Sequence, residues 1–195
     1  MTILLGMPCV NSIPTKTVGS LLNTAKRGVV DPLIVEGSLV YDSRDFIAAE
    51  AVNKGYDYVL YADSDMIFTA DDVKKLVDRN VDICSGLYIS RHGEDKNVVY
   101  EKIITRRRFP ERKPELIVDN TSSGFGVVAA CGFGFCLIKT SVLKSMFKRY
   151  KSLFEPFNGV GEDIAFCLRA KKCGYKIHVD REVKLGHIGE TVYRA

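Results

Sequence analysis

At 195 residues, with 46% hydrophobic and 27% charged side chains, the chain has the size and composition of one soluble globular domain with a real core. The net charge of +4 is modest and spread along the chain, which does not indicate a nucleic-acid partner. Its one dense basic cluster, Arg106, Arg107 and Arg108 followed by Arg112 and Lys113, reads first as a solvated loop and second as a patch for an anionic partner.

Thr2 to Met7 is a short apolar run ending at Pro8, which predicts a first buried strand and then a loop. Val18, Leu21, Leu22 and Ala25 recur at helical spacing within Thr15 to Lys26, and Gly28 ends that helix. Leu33 to Val35 is a second strand, closed by Glu36-Gly37-Ser38. Asp42 to Lys54 predicts a helix with Phe46, Ala49 and Val52 inward, Asp42 as its N-cap and Gly55 beyond its end. Tyr58 to Ala62 is a strand delivering two aspartates, Asp63 and Asp65, whose one-residue spacing points both carboxylates the same way in extended chain. Two hard oxygen ligands at one spot suit Mg²⁺ or Mn²⁺ shared with phosphate oxygens.

Thr69-Ala70-Asp71-Asp72 has the capping-box form, and Val73, Leu76 and Val77 give the next helix its apolar face. Val81 to Ile89 is strand-like. Alternation of strand and helix to this point predicts an α/β layer with a mostly parallel central sheet and helices on both faces, in which ligands bind beyond the carboxyl ends of the strands. Val98 to Ile104 and Leu116 to Val118 are short strands around the basic loop Thr105 to Pro114. A glycine-rich block, Gly124 to Gly134, leads into a strand at Phe135 to Ile138. Thr140 is placed to cap a helix with Val142, Leu143, Met146 and Phe147 inward. A loop, Phe154 to Gly161, precedes the helix Glu162 to Cys173, which buries Ile164, Cys167 and Leu168 and stops at Gly174. Lys176 to Val179 is a last strand, and Lys184 to Gly189 a loop carrying His187.

Repeats and linkers are missing, so 1–195 reads as one domain. Cys9, Cys84, Cys131, Cys136, Cys167 and Cys173 include no Cys-x-x-Cys pair, which points to buried thiols in a reducing, cytoplasmic compartment rather than to disulfides or zinc. The longest apolar run, Gly126 to Ile138, is too short and glycine-rich to span a bilayer, and the start lacks a basic secretory n-region. That excludes a membrane span and leaves room for peripheral association.

Glu162-Asp163 at a helix start suits the helix dipole by default; in a cleft, one of the two carboxylates can serve as general base on an acceptor hydroxyl. His187, between Gly186 and Ile188, is a structural residue or a third metal ligand beside Asp63 and Asp65; His92 and His178 lack such a context. P-loop, Gly-x-Ser-x-Gly, His-Glu-x-x-His and dinucleotide fingerprints are absent.

Taken in order, these features resemble a GT-A fold glycosyltransferase, most similar to glycosyltransferase family 2. Pro8-Cys9-Val10-Asn11 resembles the Pro-Thr-Tyr-Asn turn after the first strand of that family, Ser20-Leu21 its Ser-Leu, Glu36-Gly37-Ser38 its Asp-Gly-Ser and Arg44-Asp45 its Arg-Asn. Asp63-Ser64-Asp65 matches the DxD motif. Glu162-Asp163 with Arg169 resembles the Glu-Asp…Arg element bearing the base, and His187 the late metal-binding His. The interval from Ser38 to Arg44 is shorter than usual, and a chain without Trp lacks the Gln-x-x-Arg-Trp signature of processive enzymes.

The resemblance implies a metal-dependent, non-processive transferase moving one sugar from a nucleotide-diphosphate sugar, a UDP-sugar by preference, to a carbohydrate or other hydroxyl acceptor with inversion. Residues 1–91 would hold the nucleotide sugar through Pro8, Cys9, Asn11, Glu36, Arg44, Asp63 and Ser64, while Gly132 and Gly134 let backbone approach the sugar. Residues 92–195 would serve the acceptor and catalysis, with Asp163, or Glu162, as base and segment Arg91 to Phe109 as acceptor border or lid. Asp65, Asp63 and His187 would hold Mn²⁺ or Mg²⁺. Retaining transfer, a non-catalytic sugar- or nucleotide-binding domain, and a nucleotidyltransferase are the rivals; the last needs a Gly-rich, basic loop that Met7 to Lys16 does not supply.

Overall fold

A computed structural model describes residues 1–90, 96–104 and 114–189. Arg91, His92, the cluster Arg106 to Arg108, Arg112 and Lys113 lie outside the described residues, as does most of the segment read as an acceptor border. The chain runs β1 (Ile3–Cys9), α1 (Thr15–Lys26), β2 (Asp31–Glu36), α2 (Val40–Lys54), β3 (Tyr58–Ala62), β4 (Met66–Ile67), α3 (Ala70–Asp78) and β5 (Ile83–Leu87). After these come β6 (Val99–Ile104), β7 (Glu115–Val118), β8 (Phe125–Val128), β9 (Ala130–Cys131), β10 (Phe135–Lys139), α4 (Thr140–Phe147), α5 (Glu162–Lys172), β11 (Ile177–Lys184) and β12 (Gly186–His187).

Among the described residues the main sheet has the order β2-β1-β3-β10-β5-β11-β8. β2, β1, β3, β5 and β11 run one way, and β10 and β8 run against them. The sheet is therefore mixed, though mostly parallel in strand direction. β10 starts at the end of the sheet where β3 finishes, Phe135 facing Ala62, so it can only run back along β3. Smaller ladders join β6 to β7 and β9, and β12 to β4.

The sheet's side chains alternate between two cores. Ile3, Leu5 and Met7 of β1 join Leu21 of α1 and Val73 and Leu76 of α3 in one. Leu4 joins Ile47, Ala48 and Ala51 of α2, Val142, Leu143 and Met146 of α4, and Ile164 to Cys167 of α5 in the other. Both oxygen partners of the expected capping box at α3 are present: Thr69 Oγ1 accepts from Asp72 N–H, and the Asp72 carboxylate accepts from Thr69 N–H.

Four local expectations are corrected. α2 starts at Val40 with Leu39 as a cap lacking a side-chain bond, and it buries Ser43, Arg44, Ile47, Ala48 and Ala51, leaving Phe46 52% exposed. A buried arginine with three acid partners occupies the inward stripe, so apolar periodicity alone points to the wrong face. Thr140 is the first residue of α4, not its cap, because its N–H donates to Asp57 O as β10 runs straight into the helix. The last long strand extends through Lys184, carried past Val179 by Asp180 and Arg181, which are buried in ion pairs with Arg79 and Asp119. His187 lies not on a loop but on β12, paired with Met66.

Candidate active site

A cavity of about 470 Å³ opens at the carboxyl ends of β1, β2, β3 and β5. Its walls include Pro8 and Cys9 at the end of β1, Gly37 after β2, Asp63-Ser64-Asp65 after β3, Tyr88 and Ser90 after β5, Arg44, Glu162, Asp163 and His187. The structure thus brings together most of the residues singled out in the sequence. Asn11 and Glu36 are exposed and do not line the cavity; their neighbours Val10 and Gly37 do.

The turn carrying the aspartates is pinned on both sides. Asp63 N–H donates to Gly134 O at 3.0 Å, Met66 N–H to Asp63 O at 3.2 Å, and Ile188 N–H to Asp65 O at 2.9 Å. The last of these, with the β4–β12 ladder, delivers His187 to Asp65: Nε2 lies 3.3 Å from Asp65 Oδ1. His187 Nδ1 is 2.7 Å from Ile89 O, a pure acceptor, so Nδ1 carries a proton and Nε2 is the ring nitrogen that faces the carboxylate. A proton on Nε2 or a metal ion between the two groups would make that approach favourable. Tyr88 packs edge-on against the ring at 5.5 Å.

Arg44 ties the other acids together. Only 2% exposed, its guanidinium donates from Nη2 to Asp63 Oδ1 at 2.9 Å and from Nη1 to Glu162 Oε1 at 3.0 Å and Asp163 Oδ1 at 2.6 Å. It sits 5.5 Å and 5.9 Å from the Phe133 and Phe154 ring centres, on an aromatic cluster with Tyr61 and Phe166. Tyr61 Oη donates to the Arg44 carbonyl. Burial works against the guanidinium's charge, but Asp163, Asp63 and Glu162 outweigh it and hold Arg44 firmly protonated. One cation facing three carboxylates leaves excess negative charge. Burial, then the Asp163 charge, pushes Glu162 up to about 7, and burial raises Asp63 as well. Next to this cluster Asp45 accepts from Ser152 Oγ and from the N–H groups of Leu153 and Phe154, fixing the start of the loop that leads to Glu162.

Arg44 is thus a buried clamp on three acids, although its guanidinium borders the cavity. Gly132 and Gly134 are buried and make room for Tyr88 rather than lining the cavity: a Cβ on Gly134 would lie 2.8 Å from Tyr88 Cζ, and Gly134 N–H donates to Tyr88 Oη at 2.8 Å. Sequence reasoning missed Tyr88 and Ser90 as cavity walls; Val98 and Tyr100, which also line the cavity, fall in the segment Arg91 to Phe109 expected to border the acceptor. The strand-end rule applied to β5 would have found Tyr88 and Ser90.

Among the described residues no group of three or more His, Cys, Asp or Glu side chains is arranged to hold a metal ion. Asp65 and His187 nevertheless form a fitting pair of protein donors, one hard oxygen and one imidazole, for an ion whose other ligands are phosphate and water. Asp63 gives one oxygen to Arg44, which ties that part of the triad to the clamp instead.

A mixed α/β sheet with a cavity at its carboxyl ends defines the class of fold, and solved structures share it. The crystal structure of A197 from STIV matches with a TM-score of 0.63 at 19% identity, over 100% of this chain and 98% of that one. A structure of GalNAc-T7 with UDP, GalNAc and Mn²⁺ matches with a TM-score of 0.64 at 11% identity, over 96% of this chain and 44% of that one. No protein-family profile matches the chain, and no curated protein matches it by sequence.

Proposed function

We propose that the chain is a metal-dependent glycosyltransferase of GT-A fold, a single domain with helices on both faces of its sheet. It would move one sugar from a UDP-sugar to a hydroxyl of a carbohydrate or other acceptor, with inversion and without processivity. The observation that carries this reading is the pairing of Asp65 and His187 in the same cavity as the Glu162–Asp163 acid pair. The fold shared with a structure that holds UDP, GalNAc and Mn²⁺ supports it.

In this reading the nucleotide lies over Pro8, Cys9 and Gly37, and the diphosphate reaches toward Asp65 and His187. Asp65 and His187 would hold Mn²⁺ or Mg²⁺, which would supply Lewis acidity for the departing diphosphate. Ile89 O fixes the His187 tautomer, Tyr88 holds its ring, and the Glu162–Asp163 pair stands ready to accept the acceptor's proton. Six unpaired thiols, five of them buried, favour a reducing compartment such as the cytoplasm. Among the described residues no helix is long and apolar enough to cross a membrane.

Thermal unfolding with UDP and Mn²⁺ tests the reading. At a ligand concentration near one hundred times Kd, the two together should raise the midpoint by about 5–10 °C. UDP alone should do much less. Asp65→Ala and His187→Ala should each weaken Mn²⁺ affinity by about tenfold or more in metal titrations. A wild-type midpoint indifferent to UDP, GDP and CDP with Mn²⁺ would overturn the proposal.

A further inference from the structure

The carboxylates of the cavity differ in what already holds them. Both oxygens of Asp163 are engaged, Oδ1 by Arg44 Nη1 at 2.6 Å and Oδ2 by Phe133 N–H at 3.3 Å. Both of its oxygens are thus already committed, one to the Arg44 fork and one to the Phe133 amide. Arg44 reaches Glu162 through Oε1 alone, at 3.0 Å. Glu162 is also the cap-side residue of the pair, first in α5 and bordering the cavity, where its carboxylate can meet an incoming hydroxyl.

We propose that Glu162, not Asp163, takes the proton from the acceptor hydroxyl, and that Arg44 and Asp163 are positioning residues that hold it for that task. The inference rests on the glycosyltransferase reading above. In the step, the acceptor O–H bond breaks and its proton passes to the Glu162 carboxylate. The freed oxygen pair forms the bond to the anomeric carbon. The bond from that carbon to the diphosphate breaks, and its electron pair leaves on the diphosphate oxygen. No further reactant is needed.

Geometry makes the assignment; protonation agrees with it. A base works best when its pKa lies near the working pH, and burial beside Asp163 brings Glu162 to about 7. The charged groups facing Glu162 are Arg44 from α2 and Asp163 from its own helix, with Asp63, Asp65 and His187 across the cavity. Arg44 is suited to positioning because its guanidinium is buried on Phe133 and Phe154 and does not depend on substrate for its place.

Two measurements test the assignment. The first is hydrolysis of UDP-N-acetylgalactosamine and other UDP-hexoses with Mn²⁺, water serving as acceptor, followed against pH. The second is carboxyl ¹³C titration of the free protein. Glu162→Gln should lower turnover by about 10²–10⁴-fold, abolish the limb near neutral pH, leave UDP binding with Mn²⁺ intact and remove a glutamate resonance titrating near neutrality. Asp163→Asn removes a negative neighbour, so it should move the limb and that resonance to lower pH rather than erase them. Arg44→Lys keeps a cation while losing the fork and covers the case in which Asp163→Asn does not fold; it should displace the limb and retain it. A limb that survives in Glu162→Gln and vanishes in Asp163→Asn overturns the assignment alone. So does a Glu162 carboxyl that titrates in the ordinary glutamate range. A wild-type chain that neither binds UDP nor turns over any UDP-hexose overturns the transferase reading, and this inference with it.

Discussion

Arg44 shows how one side chain can set the state of several others. Its guanidinium is 2% exposed and joins Asp63, which follows β3, to Glu162 and Asp163, which open α5. Arg44→Met would leave three carboxylates crowded without their cation, and breaking a buried ionic network from one side costs about 3–5 kcal/mol. Urea midpoints should fall accordingly, and adding Glu162→Gln and Asp163→Asn to Arg44→Met should recover part of the loss. A midpoint unchanged in Arg44→Met would show that the clamp is energetically idle. The position of this arginine was legible, because Arg44-Asp45 follows the Glu36-Gly37-Ser38 turn in the expected order. Its role was not, since two of its three partners lie 118 and 119 residues away and no local pattern announces an ion pair across that distance.

At the level of elements, strands and helices declared themselves by apolar period and caps, while directions and faces did not. The capping box at Thr69 and the stop at Gly55, whose φ of 73° favours glycine, were readable from residue type. The reversed direction of β10 was not, because a buried strand reads the same from either end. The inward face of α2 was misread for the reason that makes it functional: a charged residue stands in its buried stripe. The glycines before β10, expected to let backbone approach the sugar, are instead where the Tyr88 phenol comes close. Gly132→Ala would drive a methyl group into Tyr88 Oη and Val98, and overpacking of this kind costs about 1–3 kcal/mol. Its stability, followed by urea unfolding, should drop by that order, and Mn²⁺ affinity should fall with it as Tyr88 shifts against His187. Full Mn²⁺ affinity in a destabilised Gly132→Ala protein would separate Tyr88 from the histidine.

For the molecule as a whole, the site exacts a dependence on pH. Glu162 lies above the ordinary glutamate range in the folded state, with burial the first cause. An unfolded glutamate titrates near ~4.3. Between there and about 7 the native chain retains a proton that the unfolded chain has released, so folding stability declines as pH rises through that window. Metal-free wild-type protein should lose urea resistance from roughly pH 5 to 7.5, and Glu162→Gln should lose less. Parallel slopes in the two proteins would place the effect elsewhere.

The placement of β10 between β3 and β5 has a kinetic side. A chain emerging from the ribosome presents β3 and β5 long before residues 135–139 exist to join them. Until then the two strands are separate edges, open to pairing with other chains. Insertion of β10 is followed only later by α5, whose acids neutralise the waiting Arg44. Contacts across so much chain form slowly. The cluster that would do the chemistry is therefore also a late-closing lock: a nascent chain stalled before Glu162 holds Arg44 by Asp63 alone, where a finished one gives the guanidinium all three acids.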